Sequence, residues 1–396
     1  MTPRTDWPAV WVVFAGGLAA GALIGKVPPA LPVMRADLGL TVLQSGFIAT
    51  MLYAIGAFVG VFGGAFADRY GQKRFALAGL AAMAGGGVIG AASQGYSLLL
   101  ASRALEGIGF ILFTVAAAPL IAAATLPRDR AAAFSLWSAY MPAGGTLALL
   151  AAPLALRGFG WRSLWLALAA FTALCAVQLA RKVPAPSFGG GVGSLRLLAE
   201  SVTRPGSLAL CVAFICYVGQ WTSLMVWLPT FVVDERGMDP AAASLLTALF
   251  VAVNIPGNLL GGVLMKRGTR RWAMIAAASV AMGVTALGIF AATLPDAGRL
   301  AAVLAFSFLG GVIPAAVLSG APVHARSPQH IGTTNGMIMQ SSHLSQFVAP
   351  IVIAWMASRM GGWGASLGAM LALAVLCLLS GMALRGYEQR LAPQAS

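Results

Sequence analysis

Twelve apolar runs divide almost the whole of this 396-residue chain, at about residues 10–34, 42–67, 75–93, 96–126, 130–156, 160–181, 206–233, 240–266, 271–294, 298–323, 330–358 and 363–386. Each is near or above the ~20 residues that an α-helix needs to cross the hydrocarbon of a bilayer. Runs of this length leave few folds open. In lipid every backbone N–H and C=O must be satisfied inside the segment, so each run is expected to be a helix. The composition agrees: 59% hydrophobic and 9% charged residues, against soluble averages of about 45–50% apolar and 25% charged. The expected class is an all-α integral membrane protein, with no polar segment long enough for a separate soluble domain. Arg4 ahead of the first run imitates a signal peptide, but eleven further runs favour an uncleaved first helix.

The net charge of +14 could suggest a nucleic-acid partner, but its placement argues against one. With the N-terminus inside, 17 of the 25 Lys and Arg residues fall in cytoplasmic segments, six in outer segments and two (Lys26 and Arg103) inside runs. That asymmetry follows the positive-inside rule and sets the expected topology, with both termini cytoplasmic in a bacterial-type inner membrane. Cys175, Cys211, Cys216 and Cys377 all lie inside apolar runs, with no metal-ligand spacing and no disulfide framework. No HExxH, GxSxG or P-loop pattern is present, so neither an enzyme nor ATP-driven transport is expected, and no cofactor or metal is implied.

Residues 182–204 mix Pro184, Pro186, Gly189, Gly190, Gly191 and Gly193 with basic residues, the composition of a flexible linker. The expected organisation is therefore a six-helix bundle over 1–185, a cytoplasmic linker at 186–204 and a second six-helix bundle over 205–396. The halves echo one another. GGAFADRYGQKR at 63–74 is matched 198 residues later by the shorter GGVLMKRGTRR, and GWRSLWLALA at 160–169 by GGWGASLGAM at 361–370. Such offsets point to two parallel repeats.

The connector Gly64–Arg74, GAFADRYGQKR, resembles the loop between helices 2 and 3 of the major facilitator superfamily, G-x-x-x-D-R-x-G-R-R. Gly64, Asp68, Arg69, Gly71, Lys73 and Arg74 match; Gln72 stands where a basic residue is usual. The resemblance implies a gating role for these six residues. In the fourth run, Arg103, Gly107 and Gly109 resemble the superfamily's R-x-x-x-G-x-G motif, with Glu106 where a Gln is commoner. The resemblance covers essentially the whole chain. It implies twelve transmembrane helices in two pseudo-symmetric six-helix bundles that open alternately to either side. GK-x-P-P-x-L-P around Lys26, WLPTF at Trp227–Phe231 and NIPGN at Asn254–Asn258 resemble the cyanate and nitroimidazole permease branch, which often has Arg near the Lys26 position. MPAGG in the fifth run departs from the antiporter pattern G-x-x-x-G-P-x-x-G-G.

Within the runs, a lysine costs roughly 2.5–3.5 kcal/mol at membrane depth, so Lys26 calls for water or a counter-ion. At 1.5 Å per residue, Arg103 lies roughly 10 Å, Glu106 roughly 15 Å and Lys26 roughly 12 Å deep. The three share one level, and Glu106 is the only acidic residue far inside any run. Two readings stand side by side: a buried ion pair clamping two helices, or two cations attracting an anionic solute while Glu106 balances them and takes a proton. Further candidate substrate contacts are Tyr53, Trp137, Tyr140, Gln220, Trp221, Asn254, Gln340 and His343; His343 is also a candidate proton carrier. Pro28 and Pro29 are expected to make the chain beyond Lys26 irregular, and His324 and His330 to be incidental loop residues. The expected function is transport of a small, anionic solute by proton symport or facilitated diffusion, by a monomer whose partners are that solute, protons and the lipid bilayer. The alternative is proton-coupled efflux of hydrophobic or cationic drugs, with Glu106 as proton site and Trp137, Tyr140 and Trp221 as an apolar wall.

Overall fold

A computed structural model of the chain describes residues 4–126, 129, 133, 136, 137, 139–184, 204–290, 294–325, 331–360 and 362–391, with side chains undescribed at 58–70, 322, 331–333 and 391. Among the described residues there is no strand. In chain order the helices are α1 (Trp7–Gly25), α2 (Val27–Leu38), α3 (Val42–Tyr70), α4 (Gln72–Ala91), α5 (Tyr96–Ala124), α6 (Tyr140–Gly158) and α7 (Trp161–Lys182). After the linker come α8 (Pro205–Arg236), α9 (Pro240–Lys266), α10 (Arg271–Phe290), α11 (Asp296–Gly310), α12 (Val312–Leu318), α13 (Ala321–His324), α14 (Ile331–Arg359) and α15 (Ser366–Leu391). Taking α1 with α2 and α11 with α12 as single broken crossings gives the twelve passes expected from the runs.

The first break corrects the reading of the prolines. The chain beyond Lys26 is helical as far as Leu38, because Pro28 and Pro29 stand at the start of a new helix. There a missing N–H loses no intrahelical bond and the fixed φ suits the first turn. The carbonyls of Ile24 and Gly25, whose i+4 donors would be those prolines, are left without helical partners. Lys26 sits at this junction, its own N–H bonded to the Ala22 carbonyl at 3.0 Å. With the helix ending at Leu38 rather than near 34, Lys26 lies roughly 18 Å from that end.

The backbone carries the repeat more plainly than the side chains do. All six positive-φ glycines among the described residues form three pairs: Gly39 and Gly237 (φ 64 and 62), Gly71 and Gly268 (φ 94 and 81), and Gly160 and Gly362 (φ 75 and 117). Their separations are 198, 197 and 202 residues, and each sits at a tight connection between helices. At Gly71 and Gly268 a Cβ would meet open space, so the backbone angle and not crowding demands glycine.

The chain divides into two compact units. One comprises Met1–Val192 with Leu228–Ala248, the other Gly193–Trp227 with Leu249–Ser396. In the first, small residues let helices touch backbone to backbone. Gly17, Gly21 and Gly25 of α1 face Tyr140, Met141 and Gly145 of α6; Gly79 of α4 meets Gly109 of α5; Gly107 of α5 meets Leu52 of α3. In the second, Gly257 and Gly261 of α9 meet Phe308 and Val312, and Gly311 meets the Asn254 carbonyl. Membrane helices gain nothing from hiding apolar surface from lipid, so such close seams supply the packing. The four-residue spacing of Gly17, Gly21 and Gly25 was a legible sequence signal for the α1–α6 seam.

Candidate functional site

That seam sets the position of the central cluster, since Lys26 follows Gly25 directly. Lys26 Nζ donates to Glu106 Oε1 at 2.6 Å, and Arg103 Nη1 donates to Glu106 Oε2 from one turn earlier on α5. Arg103 Nε donates to the Ile48 carbonyl of α3 at 3.1 Å, while its Nη2 is buried with no hydrogen-bond partner. The Lys26 ammonium lies 4.2 Å from the ring centroid of Trp165 on α7, a cation–π contact. Trp165 packs edge-on against Trp161 at 5.3 Å, and its Nε1 is buried and unpartnered. Gly86 and Gly90 of α4 leave room for Glu106 and Trp165; a Cβ at either would collide with them. Five helices thus converge on three charges, and the exposure of all three side chains is 0%.

The expectation that these charges share one level is met by direct contact. Of water and a counter-ion, the alternatives open for Lys26, the structure shows the counter-ion: Lys26 and Arg103 both pair with Glu106. Two cations against one carboxylate leave one excess positive charge in a low-dielectric interior, where only pairing and hydrogen bonds make burial tolerable. Tyr53 of α3 is buried. Trp137 and Tyr140 stack at 4.2 Å and 21° and pack against Gly17, so both are half-buried beside α1.

The second unit holds a neutral network. Trp221 Nε1 donates to Ser307 Oγ at 2.9 Å, and that hydroxyl donates to the Phe250 carbonyl at 2.6 Å. Asn254 Nδ2 donates to the Ser307 carbonyl and to Tyr217 Oη, while its Oδ1 accepts from Asn258 Nδ2 at 2.8 Å. Trp221 also stacks on Phe250 at 5.5 Å. Sequence reasoning found Trp221 and Asn254 but missed Ser307 and Tyr217; a lone serine within LAFSFLGG was the available sign. Gln220 is fully buried, its Nε2 donating to the Cys216 carbonyl and its Oε1 unpartnered. On α14, Gln340 and His343 are half-buried, and Gln346 Nε2 donates to Ser342 Oγ. The candidate residues therefore fall into two groups, one in each unit.

Of the gating residues, the side chains of Gly64, Asp68 and Arg69 lie outside the described residues; their backbone belongs to α3, which stays helical to Tyr70. The turn itself is the single residue Gly71. Lys73 Nζ donates to the Ala180 carbonyl at 2.8 Å, a cation on one of the last free carbonyls of α7. Arg74 is exposed. His324 is not incidental: its side chain is buried, with Nε2 3.5 Å from Glu388 Oε1, which also accepts from Arg271 Nη1 at 2.5 Å. His330 lies outside the described residues.

Between the apolar runs, at the end of α2, Asp37 accepts from Trp161 Nε1 at 2.9 Å and Arg162 Nη1 at 2.6 Å, and these bonds hold its carboxyl below the usual range. Asp239 accepts from the Ala242 and Ala241 amides at the start of α9 and is lowered likewise.

A helical, multi-pass membrane protein with a buried ionic cluster in one half and a neutral polar network in the other is the class that fold and site define. The sequence profile of the Major Facilitator Superfamily matches residues 11–194 and 209–395, and the chain belongs to that superfamily of membrane transporters. Among curated relatives, the methylenomycin A resistance protein of Bacillus subtilis is 33% identical over 47% of this chain and 41% of its own length. The chain thus spans about two fifths of that relative. A probable sulfoacetate transporter of Cupriavidus necator is 25% identical over 85% of this chain and 84% of its own. The 2-nitroimidazole transporter of Escherichia coli is 24% identical over 89% of each, in keeping with the resemblance to the nitroimidazole permease branch. A bacterial homologue of the human lysosomal transporter Spinster, crystallised inward-facing and unoccupied, superposes with a TM-score of 0.76 over 98% of each chain at 18% identity, a likeness of fold.

Proposed function

We propose that the protein is a secondary transporter of a small anionic solute, working by alternating access as a proton symporter or facilitator. In this reading residues 1–185 and 205–396 are the two moving bundles, joined by 186–204, and the monomer sits in a bacterial-type inner membrane with both termini cytoplasmic. The observation that carries it is the charge count of the buried cluster: Lys26 and Arg103 against Glu106, with Arg103 Nη2 still lacking an acceptor. An excess charge in a low-dielectric wall acts over a longer distance than one in water. Direct contact with cargo requires the Lys26–Glu106 bond to part, which frees Glu106 to take a proton. The relative named as a sulfoacetate transporter, matched along most of its length, supports an anionic cargo. His343, Gln340, Gln220, Trp221 and Asn254 supply neutral contacts, and Gly64, Asp68, Arg69, Gly71, Lys73 and Arg74 the gate.

Uptake of labelled small carboxylates and sulfonates into proteoliposomes tests it. Lys26→Met removes the excess charge while leaving Arg103–Glu106 neutral overall, and transport is expected to fall about tenfold or more, the effect of losing at least 1.4 kcal/mol of attraction. Undiminished anion uptake in both Lys26→Met and Arg103→Gln removes the charge argument. A second reading, drug efflux, is favoured by the Trp137–Tyr140 stack and by the resistance-protein relative; cationic dyes expelled under a proton gradient would select it.

A further inference from the structure

One cavity in the first unit is used by none of the above. It has a volume of about 230 Å³ and is walled by α1, α6 and α7, with Leu18, Ala22, Ala148, Leu164 and Leu168 among its lining. Its lining is otherwise apolar, but it includes Lys26.

The lining residues grade from buried to open. Lys26 is 0% exposed, whereas Leu147 is 56% and Phe171 38% exposed. On the same two helices, α6 and α7, Leu150, Leu154 and Leu174 are exposed as well. Leu147, Phe171 and Leu174 lie well inside the apolar runs 130–156 and 160–181, each near or above the length that crosses a bilayer, where exposed leucine and phenylalanine face hydrocarbon and not water. The cavity therefore opens towards lipid and runs inwards to the lysine of the ionic cluster. At about 230 Å³ it falls below the roughly 300–1,000 Å³ of pockets for drug-sized ligands, so it takes a single chain or ring.

What lies at its inner end sets the head group. The cluster carries one positive charge in excess, and two buried donors beside it, Arg103 Nη2 and Trp165 Nε1, have no acceptor. Of these groups only Lys26 lines the cavity: a neutral acyl chain would leave the excess charge as it is, whereas a carboxylate at the Lys26 end would offset it.

We infer that this cavity binds the hydrocarbon part of an amphipathic monocarboxylate that arrives from within the membrane, its carboxylate drawn to the Lys26 end. The ligand class is a medium-chain fatty acid or an aryl-alkyl acid. This shares with the proposed function the excess charge of the cluster, but it specifies a separate route of access, through the α1–α6–α7 face. Binding there can be read without transport.

The test uses the full chain in nanodiscs of zwitterionic phosphatidylcholine, photolabelled with a diazirine-bearing decanoic acid, the crosslinks being mapped by peptide mass spectrometry. Labels are expected to concentrate on residues 18–26, 144–151 and 164–171. Decanoate should displace the probe about tenfold better than decanol, because only the carboxylate meets the charge. Ala151→Trp, at the exposed mouth, should cut labelling of these segments several-fold with the elution profile unchanged; if that variant fails to fold, Leu147→Trp blocks the same mouth. Labels spread evenly over lipid-facing helices, or untouched by the blocking variant, overturn the site. Equal displacement by decanol shows an acyl-chain groove without a carboxylate end and overturns the proposal as stated. Intact labelling together with absent uptake of water-soluble anions would sink the transport reading alone.

Discussion

The two units bury polarity in opposite ways. Around α5 the first packs Lys26, Arg103 and Glu106 into a buried ionic cluster; around α9 and α11 the second packs Tyr217, Trp221, Asn254, Asn258 and Ser307 into an uncharged one. Each charge in the first is tolerable only while its partners stay. In the second, each group is one of several small contributions. A repeat whose backbone turns pair so closely has thus diverged most in what it keeps inside.

The largest expected effect separates the two. Glu106→Gln strands two buried cations and should cost about 3–5 kcal/mol of stability, read as the unfolding free energy in detergent. Ser307→Ala removes the acceptor of Trp221 and should cost about 0.6–1.7 kcal/mol, the range for polar contacts between membrane helices, with a shift in tryptophan emission. Equal losses in the two variants would break the comparison. Intermediate in size, and equal in both halves, are the turns. Gly71→Ala and Gly268→Ala should each cost about 1–2 kcal/mol, since both force an alanine into the left-handed region; markedly unequal costs would mean that the paired connections are not equivalent.

The smallest effect belongs to the exposed contact of Asp37 with Trp161 and Arg162. Its carboxyl is depressed by those bonds, so its contribution is present above the ordinary carboxylate pKa of about 3.9 and is lost as pH falls through the lower folded value. For so exposed a group, Asp37→Asn should cost under about 1 kcal/mol at pH 7, and the difference from the parent should vanish in acid. A persisting difference at low pH would assign the loss to packing around Trp161 and not to charge.

Much of this was legible beforehand. Run length gave twelve passes, and the spacing of Lys26, Arg103 and Glu106 gave their common depth, because rise per residue is fixed in a helix. The neutral network was only half legible. Trp221 and Asn254 stand out in an apolar run, but Ser307 and Tyr217 gain meaning only from which face of α11 and α8 meets α9. His324 was misread for the same reason: its partner Glu388 is 64 residues away.

By itself, then, the amino-acid order determined that the chain crosses a membrane twelve times in two related halves, since hydropathy and helix geometry act locally along the chain. Whether the cations meet water or a carboxylate was decided by tertiary packing. Glycine seams bring α1, α5 and α7 close enough for Lys26, Glu106 and Trp165 to touch, and a charge in lipid takes whatever partner that approach provides.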